Sequence, residues 1–242
     1  MPVKGTETRL LVDRWDFSGV SNSLEVTLAV GREECTVFQA TAKEYVVIDT
    51  EGTISQQGYF VNSGADTFEE EIAKALLADN SLLVAALLGT QTAACPAYVG
   101  RASSVNGLKI ASKTDGLLTL AGDWVTGGIV RGLRAFAGTI TTTGAQAQID
   151  LGAGGTTGGF GWLFVQNITG TATNATITVQ SSTSVGFSAP TTRGTFTFSA
   201  KGAYEIALTS TVDRYVRLNC TGLGGATNFT VVGVVGVAGR TY

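Results

Sequence analysis

Residues 50–64 read Thr50-Glu51-Gly52-Thr53-Ile54-Ser55-Gln56-Gln57-Gly58-Tyr59-Phe60-Val61-Asn62-Ser63-Gly64, and residues 114–128 read Thr114-Asp115-Gly116-Leu117-Leu118-Thr119-Leu120-Ala121-Gly122-Asp123-Trp124-Val125-Thr126-Gly127-Gly128. The two align without a gap at an offset of 64, with seven like positions over fifteen: Thr, an acid, Gly, Gly, an aromatic, Val and Gly. Self-similarity at a fixed offset marks one supersecondary unit used twice. Asp-Gly before an apolar run signals a hairpin, so each copy is expected to be a strand, a turn at Glu51-Gly52 or Asp115-Gly116, and a second strand. Upstream, Asn22-x-Leu24-x-Val26 matches Asn106-x-Leu108-x-Ile110 at an offset of 84, so the first copy carries twenty extra residues, centred on Gly31 to Val46.

The flanking segments carry strand periodicity. Leu24, Val26, Leu28 and Val30 alternate with polar or small residues, as do Leu118 and Leu120, which places each set on one face of a strand. Between the copies the pattern changes to a helical one. Asp66 or Thr67 can cap a helix, Glu69, Glu70 and Glu71 occupy its first turn, and Phe68, Ile72, Ala75 and Leu76 share a stripe. That helix is expected to end near Asp79-Asn80, with a second short helical piece from Ser81 to Leu88 stopped by Gly89.

Composition limits the chemistry. The 242 residues include 32 Gly and 35 Thr but only 3 Pro, with 14% charged residues and no histidine. Abundant Gly and Thr suits β structure with tight turns. Without histidine there is no Ser-His-Asp or Cys-His catalysis and no His-ligated metal. Cys35, Cys95 and Cys220 lack paired spacing, so they are expected to be small buried thiols, with no disulfide framework, metal site or cofactor. The start, Met1-Pro2-Val3-Lys4, has no apolar h-region, and the longest apolar run, Leu82–Leu88, is too short to span a bilayer. Synthesis and folding in a cytosol, without membrane insertion, is the expectation.

Charge and glycine divide the chain near residue 139. Residues 1–139 hold 11 basic and 16 acidic residues, net −5, and residues 140–242 hold 5 and 3, net +2. Thr141-Thr142-Thr143-Gly144-Ala145-Gln146 reads as a linker into a second domain, 140–242. That domain shows seven short strands: Ile149–Leu151, Trp162–Ile168, Ala175–Gln180, Thr195–Phe198, Tyr204–Leu208, Arg214–Cys220 and one from Asn228. Such spacing is that of a β-sandwich, Ig-like or jelly-roll-like, although the Cys…Trp…Cys signature of true immunoglobulin domains is missing. The glycines at 152–161 precede a strand and lack Gly-Lys-Ser/Thr, so they read as a strand connection and not as a phosphate loop.

Asp16-Phe17-Ser18-Gly19-Val20-Ser21-Asn22-Ser23-Leu24-Glu25-Val26, Glu51-Gly52-x5-Gly58-Tyr59-Phe60, Asp115-Gly116 through Trp124, and Arg131-Gly132-Leu133 together resemble tail tube (major tail) proteins of long-tailed bacteriophages. The resemblance covers about residues 8–135. It implies a β-sandwich or half-barrel with one flanking helix. Six copies would form a ring with a continuous β lumen, and rings would stack into a tube in the virion tail. It implies contact with tape-measure, tail-terminator and tail-tip proteins, passage of DNA, and no catalytic residues. A long loop reaching the next ring would fall on the insertion, with Arg32, Glu33, Glu34, Phe38, Lys43 and Tyr45 as its contacts. Residues 140–242 would form an outer decoration domain.

Because Lys and Arg dominate phosphate binding, a wall that passes DNA should be acidic or polar. Alternate residues of the repeated strands supply such a face: Glu25, Thr53, Ser55, Gln57, Thr119 and Asp123, with Leu24, Val26, Ile54, Leu118 and Leu120 facing a core. A one-residue slip would exchange the two sets. Two other readings compete. A capsid decoration or carbohydrate-binding protein would expose Trp162, Phe187, Tyr204 or Tyr215 to sugars. An enzyme would gather Asp13, Asp16, Asp115 and Asp123 as acid–base carboxylates.

Overall fold

The computed structural model describes residues 8–19, 21–34, 45–59, 82–89, 94–111 and 119–237. Among them there are fifteen strands and no helix. The first seven are β1 (Arg9–Val12), β2 (Trp15–Asp16), β3 (Ser21–Glu34), β4 (Tyr45–Tyr59), β5 (Leu82–Leu87), β6 (Pro96–Ala111) and β7 (Thr119–Ile140). The remainder are β8 (Gly144–Ala145), β9 (Ile149–Asp150), β10 (Gly159–Gly170), β11 (Ala175–Ser182), β12 (Thr191–Phe198), β13 (Gly202–Leu208), β14 (Tyr215–Gly222) and β15 (Ala226–Val237). The mainly β fold class is as expected, and so is a strand at each of the seven sites named after residue 140. The helix expected over 66–79 lies outside the described residues. The helical piece expected at Ser81–Leu88 is instead strand β5. A short, uniformly apolar run buries equally well in either form, and its length is a strand's.

Two compact units partition the chain: residues 1–18, 85–99 and 130–242 form one, and residues 19–84 and 100–129 the other. This differs from a division in sequence at 139/140. The reason is a shared core. Leu133, Ala135 and Ile140 of β7 are buried in one apolar cluster with Phe229, Val231 and Val235 of β15, and β15 pairs with β7 from Phe229↔Ile140 to Val235↔Leu133.

In the first unit two sheets face one another. One carries β13-β10-β15-β7 in order, and the other β12-β11-β14 with β8 and β9 at its edge. Alternation decides what each strand buries. Ile177 and Val179, Phe196 and Phe198, and Val216, Leu218 and Cys220 point inward from the smaller sheet onto Leu163, Val165 and Val231. The intervening Thr176, Thr195, Thr197 and Arg217 remain at least partly exposed. Strands β10 and β15 are buried on both faces across Gly161–Val165 and Val231–Val237, which explains their unbroken apolar runs. Gly159 serves this packing: a Cβ there would lie 2.2 Å from the Gly236 carbonyl oxygen. Beyond β7 the larger sheet continues through β6, β5, β1 and β2. The β1–β2 turn returns to its far edge, where Asp13 Oδ1 accepts the Ala203 N–H of β13 at 2.8 Å.

Candidate functional site

In the second unit β3, β4 and the first part of β7 form an antiparallel sheet. Glu25 stands opposite Ser55, and Ser55 opposite Asp123, giving one row across three strands. The neighbouring rows are Thr27–Thr53–Val125 and Ser23–Gln57–Ala121, and Tyr59 faces Thr119. All six residues expected on a polar face therefore share one side of the sheet. Glu25, Gln57, Thr119 and Asp123 are exposed, and Thr53 and Ser55 are half-buried. Side chains alternate by two along a strand, so the opposite side carries Val26–Ile54–Trp124 and Leu24–Gln56–Gly122. Ile54 and Trp124 are fully buried, while Leu24 and Val26 are half-buried. Gln56, also buried, donates from Nε2 to Ser21 Oγ at 3.1 Å. Leu28, expected with Leu24 on the core side, is 56% exposed; the side chains of Leu118 and Leu120 lie outside the described residues.

The two repeat copies are neighbours. Gln57 stands opposite Ala121, its equivalent at the offset of 64, so the copies pair antiparallel about that point. The turn expected at Glu51-Gly52 does not form: β4 runs straight through it. Gly52 answers to packing instead. A Cβ there would lie 2.4 Å from Ile129 Cγ1 and 2.9 Å from Thr126 Oγ1, and Thr126 Oγ1 donates to the Gly52 carbonyl at 3.0 Å. Asp115-Gly116 lies outside the described residues.

Part of the insertion is strand. Residues 31–34 and 45–47 extend the β3–β4 hairpin, with Arg32 opposite Val47, Glu33 opposite Val46 and Glu34 opposite Tyr45. Residue 48 is bulged out between Gly31↔Asp49 and Arg32↔Val47. A two-stranded ribbon reaches further from its sheet than a loop of equal length, at about 3.3 Å per residue. Phe38 and Lys43 lie outside the described residues.

The polar face carries Glu25, Glu51 and Asp123, and the segments Ser21–Ala29, Glu51–Tyr59 and Thr119–Gly127 contain no Lys or Arg. Lys109 of β6 stands at its edge, where it lines a hollow of about 160 Å³ with Asn22, Gln57, Thr119 and Ala121. The face is thus a weakly acidic, hydroxyl- and amide-bearing surface.

The other candidate groups are engaged elsewhere. Asp13 holds the Ala203 amide. Burial raises the Asp16 pKa, but the Ser18 and Arg9 hydrogen bonds outweigh it and hold the carboxyl below its usual value. Asp123 is on the exposed face, and Asp115 lies outside the described residues. No three His, Cys, Asp or Glu side chains gather as a metal site requires among the described residues. Cys95 and Cys220 are buried free thiols, as expected, with pKa values pushed up by burial; Cys35 lies outside the described residues. The aromatics expected to meet sugars do not form a platform. Trp162 and Phe187 are buried, Trp162 Nε1 donates to Glu205 at 2.7 Å, and Phe187 lies under Arg217 at 4.2 Å. Tyr204 and Tyr215 are half-buried, and the Tyr204 hydroxyl donates to the Ala200 carbonyl at 2.8 Å.

No family model matches the chain, and no curated protein matches it by sequence. Among solved structures, it is similar to a chain in the virion of a native gene transfer agent particle, with 11% identity and a TM-score of 0.41 over 55% of this chain and 98% of that one. A chain of an empty gene transfer agent tail with C6 symmetry has 12% identity and a TM-score of 0.38 over 52% and 96%. The SPP1 Dit protein, a hub of the adsorption apparatus of phages infecting Gram-positive bacteria, has 9% identity and a TM-score of 0.33 over 95% and 98%. These are partial likenesses to components of tail-bearing particles.

Proposed function

We propose that this chain is a structural, non-enzymatic virion protein whose rings of six stack into the tail tube that conducts DNA into a bacterial host. The observation that carries this reading is the Glu25–Ser55–Asp123 face. Three antiparallel strands present carboxylates, hydroxyls and amides on one side and bury Ile54 and Trp124 on the other. DNA is held chiefly by Lys and Arg neutralising phosphates, and each added contact steepens the salt dependence of binding. A wall without those side chains lets the polymer slide. The same sheet bears the long β3–β4 hairpin, an arm suited to contact an adjacent ring. Tape-measure, tail-terminator and tail-tip proteins are the further partners of such a tube, which would assemble in the bacterial cytoplasm. Negative-stain microscopy of the purified protein at rising concentration tests the reading. Six-fold rings and tubes are expected; monomers or trimers alone at the highest concentration would overturn it.

A further inference from the structure

We draw no further inference here: the strongest candidate, the Arg217 guanidinium held 4.2 Å over the Phe187 ring and bonded to Gln180 on the side of the β12–β11–β14 sheet turned away from the core, carries nothing because nothing in the structure shows what covers that face.

Discussion

Replacing Gly52 by alanine probes the pairing of the two repeat copies. The added Cβ would meet Ile129 Cγ1 at 2.4 Å, Ile129 Cδ1 at 2.5 Å and Thr126 Oγ1 at 2.9 Å. Overpacking of this kind costs about 1–3 kcal/mol. Removing a glycine from a strand interior returns about 0.5–1 kcal/mol of conformational entropy. At mid-range the clash wins, leaving a net loss of about 1 kcal/mol, or a fall of about 2–4 °C in Tm for a chain of this size. Two of the three contacts come from one side chain, so Ile129→Ala should remove most of the penalty. In that background Gly52→Ala should be within about 0.5 kcal/mol of neutral, a coupling of about 1 kcal/mol or more. Thermal and urea melts of the four proteins of the cycle, followed by circular dichroism, measure it. An equal loss in both backgrounds, or no loss in the parent, would refute the packing role and with it the register that sets Gly52 opposite Thr126.

Three further outcomes follow from named contacts. A chain ended after residue 139 should be insoluble or unfolded in its first unit, because Leu133 and Ala135 then lose the β15 residues that bury them; a soluble, folded truncation by gel filtration and circular dichroism would contradict the shared core. Burial raises the Asp213 pKa, but hydrogen bonds from Ser181 and Arg193 outweigh it and set the folded value below the usual 3.8. Its stabilisation is therefore complete above that value and is lost as pH falls through the folded one, so Asp213→Asn should flatten the acid limb of a stability–pH curve while a parallel limb would refute the assignment. Paired Glu25→Lys and Asp123→Lys changes fall on exposed positions and should shift Tm by less than about 2 °C. They should nonetheless make the assembled protein retain DNA in a salt-sensitive manner; unchanged DNA affinity by filter binding would argue against a DNA-facing wall.

Much of this architecture is legible in the sequence where alternation is clean. Phe196 and Phe198 between threonines announce an inward face, and Thr53, Ser55 and Gln57 around Ile54 announce an outward one. Legibility fails where one signal has two physical causes. Gly52 follows an acid, as a turn glycine does, yet it is small because Ile129 and Thr126 need its space. Leu82–Leu87 is apolar at every position, so periodicity cannot separate helix from strand. The step in charge at 139 coincides with the end of β7, but Leu133, Ala135 and Ile140 of that strand are buried with residues of β15, and such a long-range pairing leaves no trace in local composition. The row Glu25–Ser55–Asp123 depends on register between strands about thirty and seventy residues apart, which a pattern can orient but not align.

In a stacked-ring tube the Glu25–Ser55–Asp123 face lines the channel. A cryo-electron microscopy reconstruction of the assembled protein would show which face does so. Six-fold rings are expected, with this face surrounding the axis and the β3–β4 hairpin contacting the adjacent ring. Rings with Glu25, Ser55 and Asp123 on the outer surface, or a lumen lined mainly by Lys and Arg, would contradict that arrangement.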